Sequence, residues 1–180
     1  MGQTEMETGH VQETIEVQTG QVKAARAGVL RASAVGSCVA VAVYEARAGI
    51  GGLAHVMLPG AAPDGTGERR TRYAEDGIRE LVAAVQALGA GRERLLAFVV
   101  GGGNILERDD DTICEANTRS VLGILEQEAI PIEVSQTGGT ARRSICLDVK
   151  SARISYTVGD SASILLWQGR GHEPMEGGDA

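Results

Sequence analysis

The chain has 180 residues, 43% apolar and only 3% aromatic, with 17 Lys and Arg against 24 Asp and Glu for a net charge of −7. That length supports one domain with its own core, built from Val, Leu, Ile and Ala because aromatics are scarce. The acidic balance excludes a nucleic-acid-binding face, which needs clustered Lys and Arg, and no apolar run approaches the roughly 20 residues of a membrane helix. Glu5, Glu7, Glu13 and Glu16 leave no basic or apolar leader near the start, so a cytoplasmic protein without direct membrane insertion is expected.

In chain order, residues 1–14 are polar and charged and read as a disordered arm. Strand-like runs follow near 15–25 and 28–34, then at 38–45 and 50–58. Pro59 through Arg70 is a Gly/Pro/Asp-rich loop long enough to serve as a lid or binding loop. Over 72–88, Ile78, Leu81, Val82, Val85 and Leu88 recur at helical spacing, with Glu75 and Asp76 in the first turn and Gly89 as the stop. A buried strand over 95–100 runs into Gly101-Gly102-Gly103-Asn104. A second helix is expected from Thr112, with Glu115 completing a capping box, continuing through Val121, Leu122 and Leu125. Strands at 130–135, 144–149, 153–158 and 163–167 complete the pattern, and residues 168–180 form a flexible Gly-rich tail. The folded unit is thus 15–167: a single-domain α/β layered sandwich of mostly antiparallel or mixed strands with two main flanking helices.

Chemistry concentrates in the third and fourth strands. Gly36-Ser37-Cys38 opens one and His55 lies within the other. A hairpin centred between Ala46 and Arg47 pairs Cys38 directly with His55, and opposed residues have Cβ atoms about 4.5–5.5 Å apart, close enough for an imidazole to activate a thiol. The other two histidines, His10 and His172, fall in the arm and the tail. Cys114 and Cys146 sit in apolar or helical contexts where cysteine is usually a small buried hydrophobe. The three cysteines form no Cys-x-x-Cys pair, so no disulfide framework, zinc site or other metal is expected. Asp109-Asp110-Asp111 reads as a solvated helix start. Gly101-Gly102-Gly103 lacks the spacing of a phosphate loop, and close backbone approach to a neighbouring strand or a substrate explains it better. Thr137-Gly138-Gly139 with Arg142 and Arg143 reads as a turn that can serve as a binding rim.

Taken together, Gly36-Ser37-Cys38-Val39-Ala40-Val41, Gly52-Leu53-Ala54-His55-Val56-Met57-Leu58-Pro59, Tyr73-Ala74, Gly101-Gly102, Asn117 and Thr137-Gly138-Gly139 with Arg143 resemble the CheD family, chemoreceptor glutamine deamidases of bacterial and archaeal chemotaxis. The similarity spans roughly residues 15 to 160. It implies a fold related to the catalytic domain of cytotoxic necrotizing factor toxins and, without any cofactor, hydrolysis of protein glutamine amides to glutamate with release of ammonia. By the same resemblance Cys38 is the nucleophile, His55 its base and acid, and chemoreceptor cytoplasmic helices the substrate. The N–H groups around Gly36, Ser37 and Cys38 are oxyanion candidates, with Gly101 and Gly102 lining the substrate side.

The family carries a threonine six residues before the cysteine as a third catalytic member, where this chain has Ala32. Ser33 is the candidate replacement, although alternation puts it on the opposite face unless a bulge intervenes. Gln136 likewise stands where an acidic residue is common. Loss of an orienting group weakens a triad without abolishing it. Reduced activity is therefore one expectation, and a catalytically weakened module that contacts receptors or a CheC-like phosphatase is the alternative function. Another thiol amidase of papain type fits poorly with the short Cys-to-His separation.

Overall fold

The computed structural model describes residues 13–110 and 112–169. His10, His172, Asp111 and most of the arm and tail lie outside the described residues. The inner ends of those two segments belong to strands: Thr14 to β1 (Thr14–Glu16) and Gln168 to β10 (Ile164–Gln168).

Two five-stranded sheets stack face to face. One runs β1-β3-β8-β9-β10, with β3 (Val29–Val35), β8 (Arg143–Asp148) and β9 (Arg153–Val158). The other runs β2-β5-β4-β6-β7, with β2 (Val22–Ala25), β5 (Ile50–Val56), β4 (Val39–Glu45), β6 (Leu96–Gly101) and β7 (Ile132–Thr137). Among the strands of the described residues, only β1–β3 and β6–β7 pair in parallel. Two helices, α1 (Ala74–Ala87) and α2 (Ile113–Gln127), share a core with the second sheet. The expected class is therefore observed, a mixed α/β fold of mostly antiparallel strands with two main helices.

Strand β4 explains the layering. All seven of its residues are buried, as the continuous apolar run Val-Ala-Val-Ala-Val-Tyr requires. Val39, Val41 and Val43 point to the helices, while Ala40, Ala42 and Tyr44 point to the other sheet. The period-2 alternation of side chains thus feeds two separate cores from one strand. Small residues set the spacing on β5: a Cβ at Gly52 would stand 2.7 Å from Leu81 and 2.8 Å from Val85 of α1. The few aromatics are not spread evenly. Tyr44 and Phe98 flank Trp167 with ring centroids 5.8 and 5.2 Å away, in the core between the sheets.

Three sequence expectations are corrected. The run expected over 15–25 is two strands in different sheets, because the chain crosses between sheets at residues 17–21, turning at Gly20 with φ +80°. The β4–β5 hairpin pairs Glu45 with Ile50 and Ala40 with His55, so its centre lies between Arg47 and Ala48. A two-residue turn at Ala46-Arg47 would need positive φ from residues that resist it, whereas the longer loop uses Gly49 at φ +62°. Thr112 makes no side-chain capping bond to α2. The Pro59–Arg70 loop is pinned to the helices: the Gly60 N–H donates to Ser120 Oγ at 2.8 Å and the Ala62 N–H to Asp76 Oδ2 at 2.7 Å.

At the far end of the hairpin, Glu45 is fully buried. It accepts hydrogen bonds from the Arg47 N–H at 2.8 Å and the Gly91 N–H at 3.4 Å, and pairs with Arg94 at 3.3 Å. Burial alone would raise its carboxyl pKa, but the Arg94 guanidinium and the two N–H groups outweigh burial and hold it below the usual range. A depressed folded-state pKa gives stability that is present above the unfolded value, about 4.3, and lost as pH falls through the folded value. Glu45→Ala, which takes the acceptor from the Arg47 and Gly91 N–H groups and the partner from Arg94, is expected to cost about 1–3 kcal/mol at neutral pH. Denaturant unfolding at pH 7 and pH 3 checks this, because the penalty should shrink at the lower pH.

Candidate active site

Cys38 stands one residue ahead of β4 and His55 lies within β5. Their direct opposition does not occur, since Ala40 faces His55. The shift is two residues, and only an odd shift moves a side chain to the other face. Cys38 packs on the core between the sheets, the same side to which Ala40 and Leu53 point. Cys38 and His55 are therefore diagonal neighbours on one face, a relation with spacing of about 7–8 Å.

His55 is buried, and its Nδ1 lies 3.2 Å from the Val17 carbonyl oxygen. A carbonyl only accepts, so Nδ1 carries the proton. In the neutral ring the lone pair is then on Nε2, which is buried and makes no hydrogen bond among the described residues. Burial lowers the imidazole pKa, against smaller opposing effects of the Val17 carbonyl and Glu16. Burial pushes the Cys38 thiol pKa up, against a smaller stabilisation of the thiolate by its own backbone N–H. Both shifts favour the uncharged forms, a thiol and an imidazole whose Nε2 keeps its lone pair.

Val17 was invisible to side-chain reasoning because a backbone carbonyl makes the contact. It arrives through the crossover between β1 and β2. Ala32 and Ser33 lie elsewhere. Ala32 is fully buried in the inter-sheet core. Ser33 lies in a bulge, where β3 slips against β8 between Ala32 and Val35 and Ala34 takes φ +54°. Alternation resumes at Val35, leaving Leu30, Ala32 and Val35 buried while Ser33 is half-buried, its N–H donating to Glu16 Oε1 at 2.9 Å.

The Gly36-Ser37-Cys38 segment is held through all three of its carbonyls. The Gly103 N–H donates to the Gly36 oxygen at 2.8 Å and the Gly102 N–H to the Cys38 oxygen at 2.7 Å. Asn117 Nδ2 donates to the Ser37 oxygen at 2.9 Å. The glycines at 101–103 permit this approach: a Cβ at Gly101, with φ +127°, would lie 2.4 Å from the Cys38 oxygen. Gly36 is not left-handed; a Cβ there would press on Ile105 at 3.0 Å. The Gly138 N–H in turn donates to the Gly101 oxygen at 3.0 Å, and Arg143 Nη1 holds the Gly138 oxygen at 2.7 Å. Blocks scattered over a hundred residues of sequence thus meet around one thiol. No disulfide joins the described cysteines: Cys114 is buried on α2, and burial raises the pKa of half-buried Cys146 on β8.

A family model described as CheD chemotactic sensory transduction matches residues 57–157, more than half of the chain. The chain belongs to the CheD family. That match begins just past His55, and full-length relatives extend it. A probable chemoreceptor glutamine deamidase CheD of Chlorobium luteolum is 39% identical over 154 residues, covering 85% of this chain and 77% of that protein. A CheD of Haloarcula marismortui with the same description is 30% identical over 167 residues, covering 91% and 96% of the two chains. One from Archaeoglobus fulgidus is 32% identical over 144 residues, covering 78% of this chain and 90% of its own.

The close approach at Gly101 is directly testable. Gly101→Ala is expected to lower the melting temperature, with about 1–3 kcal/mol from backbone strain alone, and to slow alkylation of Cys38 by iodoacetamide. An unchanged melt with unchanged alkylation would show that the glycine is not needed there.

Proposed function

We propose that this CheD protein hydrolyses glutamine side-chain amides of chemoreceptor cytoplasmic helices to glutamate, with Cys38 as nucleophile and His55 as base and acid. The observation that carries the reading is the Val17 carbonyl on His55 Nδ1, which leaves the Nε2 lone pair unpartnered on the face shared with Cys38. In the first step the Cys38 proton passes to Nε2 while Sγ bonds to the amide carbon and the carbonyl electrons move onto oxygen. The tetrahedral intermediate collapses, the C–N bond breaks, and His55 returns the proton to the leaving nitrogen, releasing ammonia. Water then adds to the thioester, giving its proton to His55. Collapse expels the thiolate, which recovers that proton, and the product is glutamate.

No helix among the described residues is long and apolar enough to cross a membrane. Exposed apolar side chains near the site support a helical substrate. The exposed apolar side chains Met57, Ile105 and Leu106 sit on segments adjoining the Gly36–Cys38 loop and His55, and they suit the apolar flank of a receptor helix. The helix–sheet–sheet layering supports a relation to the cytotoxic necrotizing factor catalytic domain at the level of architecture.

Mass spectrometry of a receptor cytoplasmic segment is the test. Wild type is expected to convert glutamine to glutamate, Cys38→Ala to abolish conversion, and His55→Gln to lower it by at least about a hundredfold, the lower end of general-base contributions. No Cys38-dependent conversion, with receptor or CheC-like phosphatase binding retained, would instead support the weakened binding module.

The resting protonation states set the pH dependence. Because His55 must be neutral and burial lowers its pKa, kcat/KM should rise with pH along a limb lying below the ordinary imidazole value of about 6.5 and be level by neutral pH. A rise that continues to the thiol range would contradict a base of this kind. Ala32→Thr separates the two views of the missing hydroxyl. With the Val17 carbonyl as orienting group, kcat should stay within about threefold, a barrier change of about 0.65 kcal/mol, whereas a larger gain would show that Ala32 limits activity.

A further inference from the structure

Asn117 is the one side chain of α2 whose burial its own chemistry does not explain. It is fully buried on a face otherwise made of Cys114, Val121, Ile124 and Leu125. Its Nδ2 makes two bonds of 2.9 Å, to the Ser37 and Met57 carbonyls. Both partners are acceptors, which identifies the nitrogen as the group facing them. One amide therefore bridges the residue before the nucleophile and the second residue after His55.

The first of these bonds has a consequence at the reacting centre. A trans peptide is planar, and its C=O and N–H point in opposite directions. Holding the Ser37 oxygen against α2 therefore turns the N–H of the same peptide, that of Cys38, away from the helix. The flanking peptides cannot compensate by rotating, because the Gly36 and Cys38 oxygens are already bound to Gly103 and Gly102.

We propose that Asn117 is a positioning residue that fixes the Ser37–Cys38 peptide so that the Cys38 N–H is presented to the oxyanion of the tetrahedral intermediate. The inference rests on the deamidase reading above, and it assigns a residue of α2 a part in transition-state stabilisation without contact to substrate. The Cys38 N–H also favours its own thiolate, against the larger effect of burial.

The test compares wild type with Asn117→Ala and the near-isosteric Asn117→Asp, which cannot donate to either carbonyl when ionised. Deamidation kcat should fall at least about tenfold, towards the 10²–10³ that loss of a whole oxyanion donor costs, while KM stays within about twofold. Iodoacetamide alkylation of Cys38, a displacement that builds no oxyanion, should fall much less than kcat. A kcat within threefold of wild type, or kcat and alkylation falling in parallel, overturns the proposal. NMR supplies a readout independent of turnover and of whether the variants fold. In the wild type the Cys38 amide resonance should follow ionisation of its own thiol, and the Asn117 side-chain protons should exchange slowly. If that amide ignores the thiol, the positioning role fails even where deamidation proceeds. If wild type shows both signatures without deamidating receptor, the substrate reading fails and the assignment of Asn117 stands.

Discussion

Strand β4 has no water on either face, and most of the molecule follows from that constraint. A strand buried on both sides needs a partner layer on each, and the alternation of its side chains decides which residue serves which layer. The valines take the helices and the alanines with Tyr44 take the facing sheet of β3, β8 and β9. Cys38 extends the same alternation past the end of the strand, so the layering that buries Tyr44 also directs the thiol between the sheets. His55 reaches the same side from the neighbouring strand. The placement of Cys38 and His55 and the packing of the core thus follow one geometric rule.

The environment so produced disfavours charge. Burial works against the ionised form of both Cys38 and His55. The open end of the hairpin thus favours uncharged groups. It contrasts with Glu45 at the other end of the same hairpin, where the ion is buried but surrounded by donors. The hairpin therefore carries a stabilised charge at its turn and two suppressed ones at its open end.

Much of this arrangement was legible in the sequence where a period or a spacing carried it. Helix α1 follows from the spacing of Ile78, Leu81, Val82 and Val85. Every strand after residue 28 falls within a few residues of its apolar run. The shared face of Cys38 and His55 survived an error of two in the hairpin register because side chains repeat with that period. What stayed hidden depended on contacts between distant segments. Nothing local says that β1 and β2 enter different sheets, although Thr19-Gly20 was a turn signal within the run. The Val17 carbonyl has no side-chain signature at all. Asn117 belongs to the residues that carry the resemblance, yet its bonds to the Ser37 and Met57 carbonyls depend on α2 lying behind the Gly36–Cys38 loop.

The Val17 contact changes how this site responds to mutation. A triad member that acts through its side chain is lost with one substitution. An acceptor on the main chain survives any replacement that preserves the path of the chain, so its loss requires an insertion, a deletion or a proline that reroutes the crossover at residues 17–21. Sequence drift around His55 is therefore buffered, and the vulnerable element is the length of a short connection between two sheets rather than the identity of any residue in it.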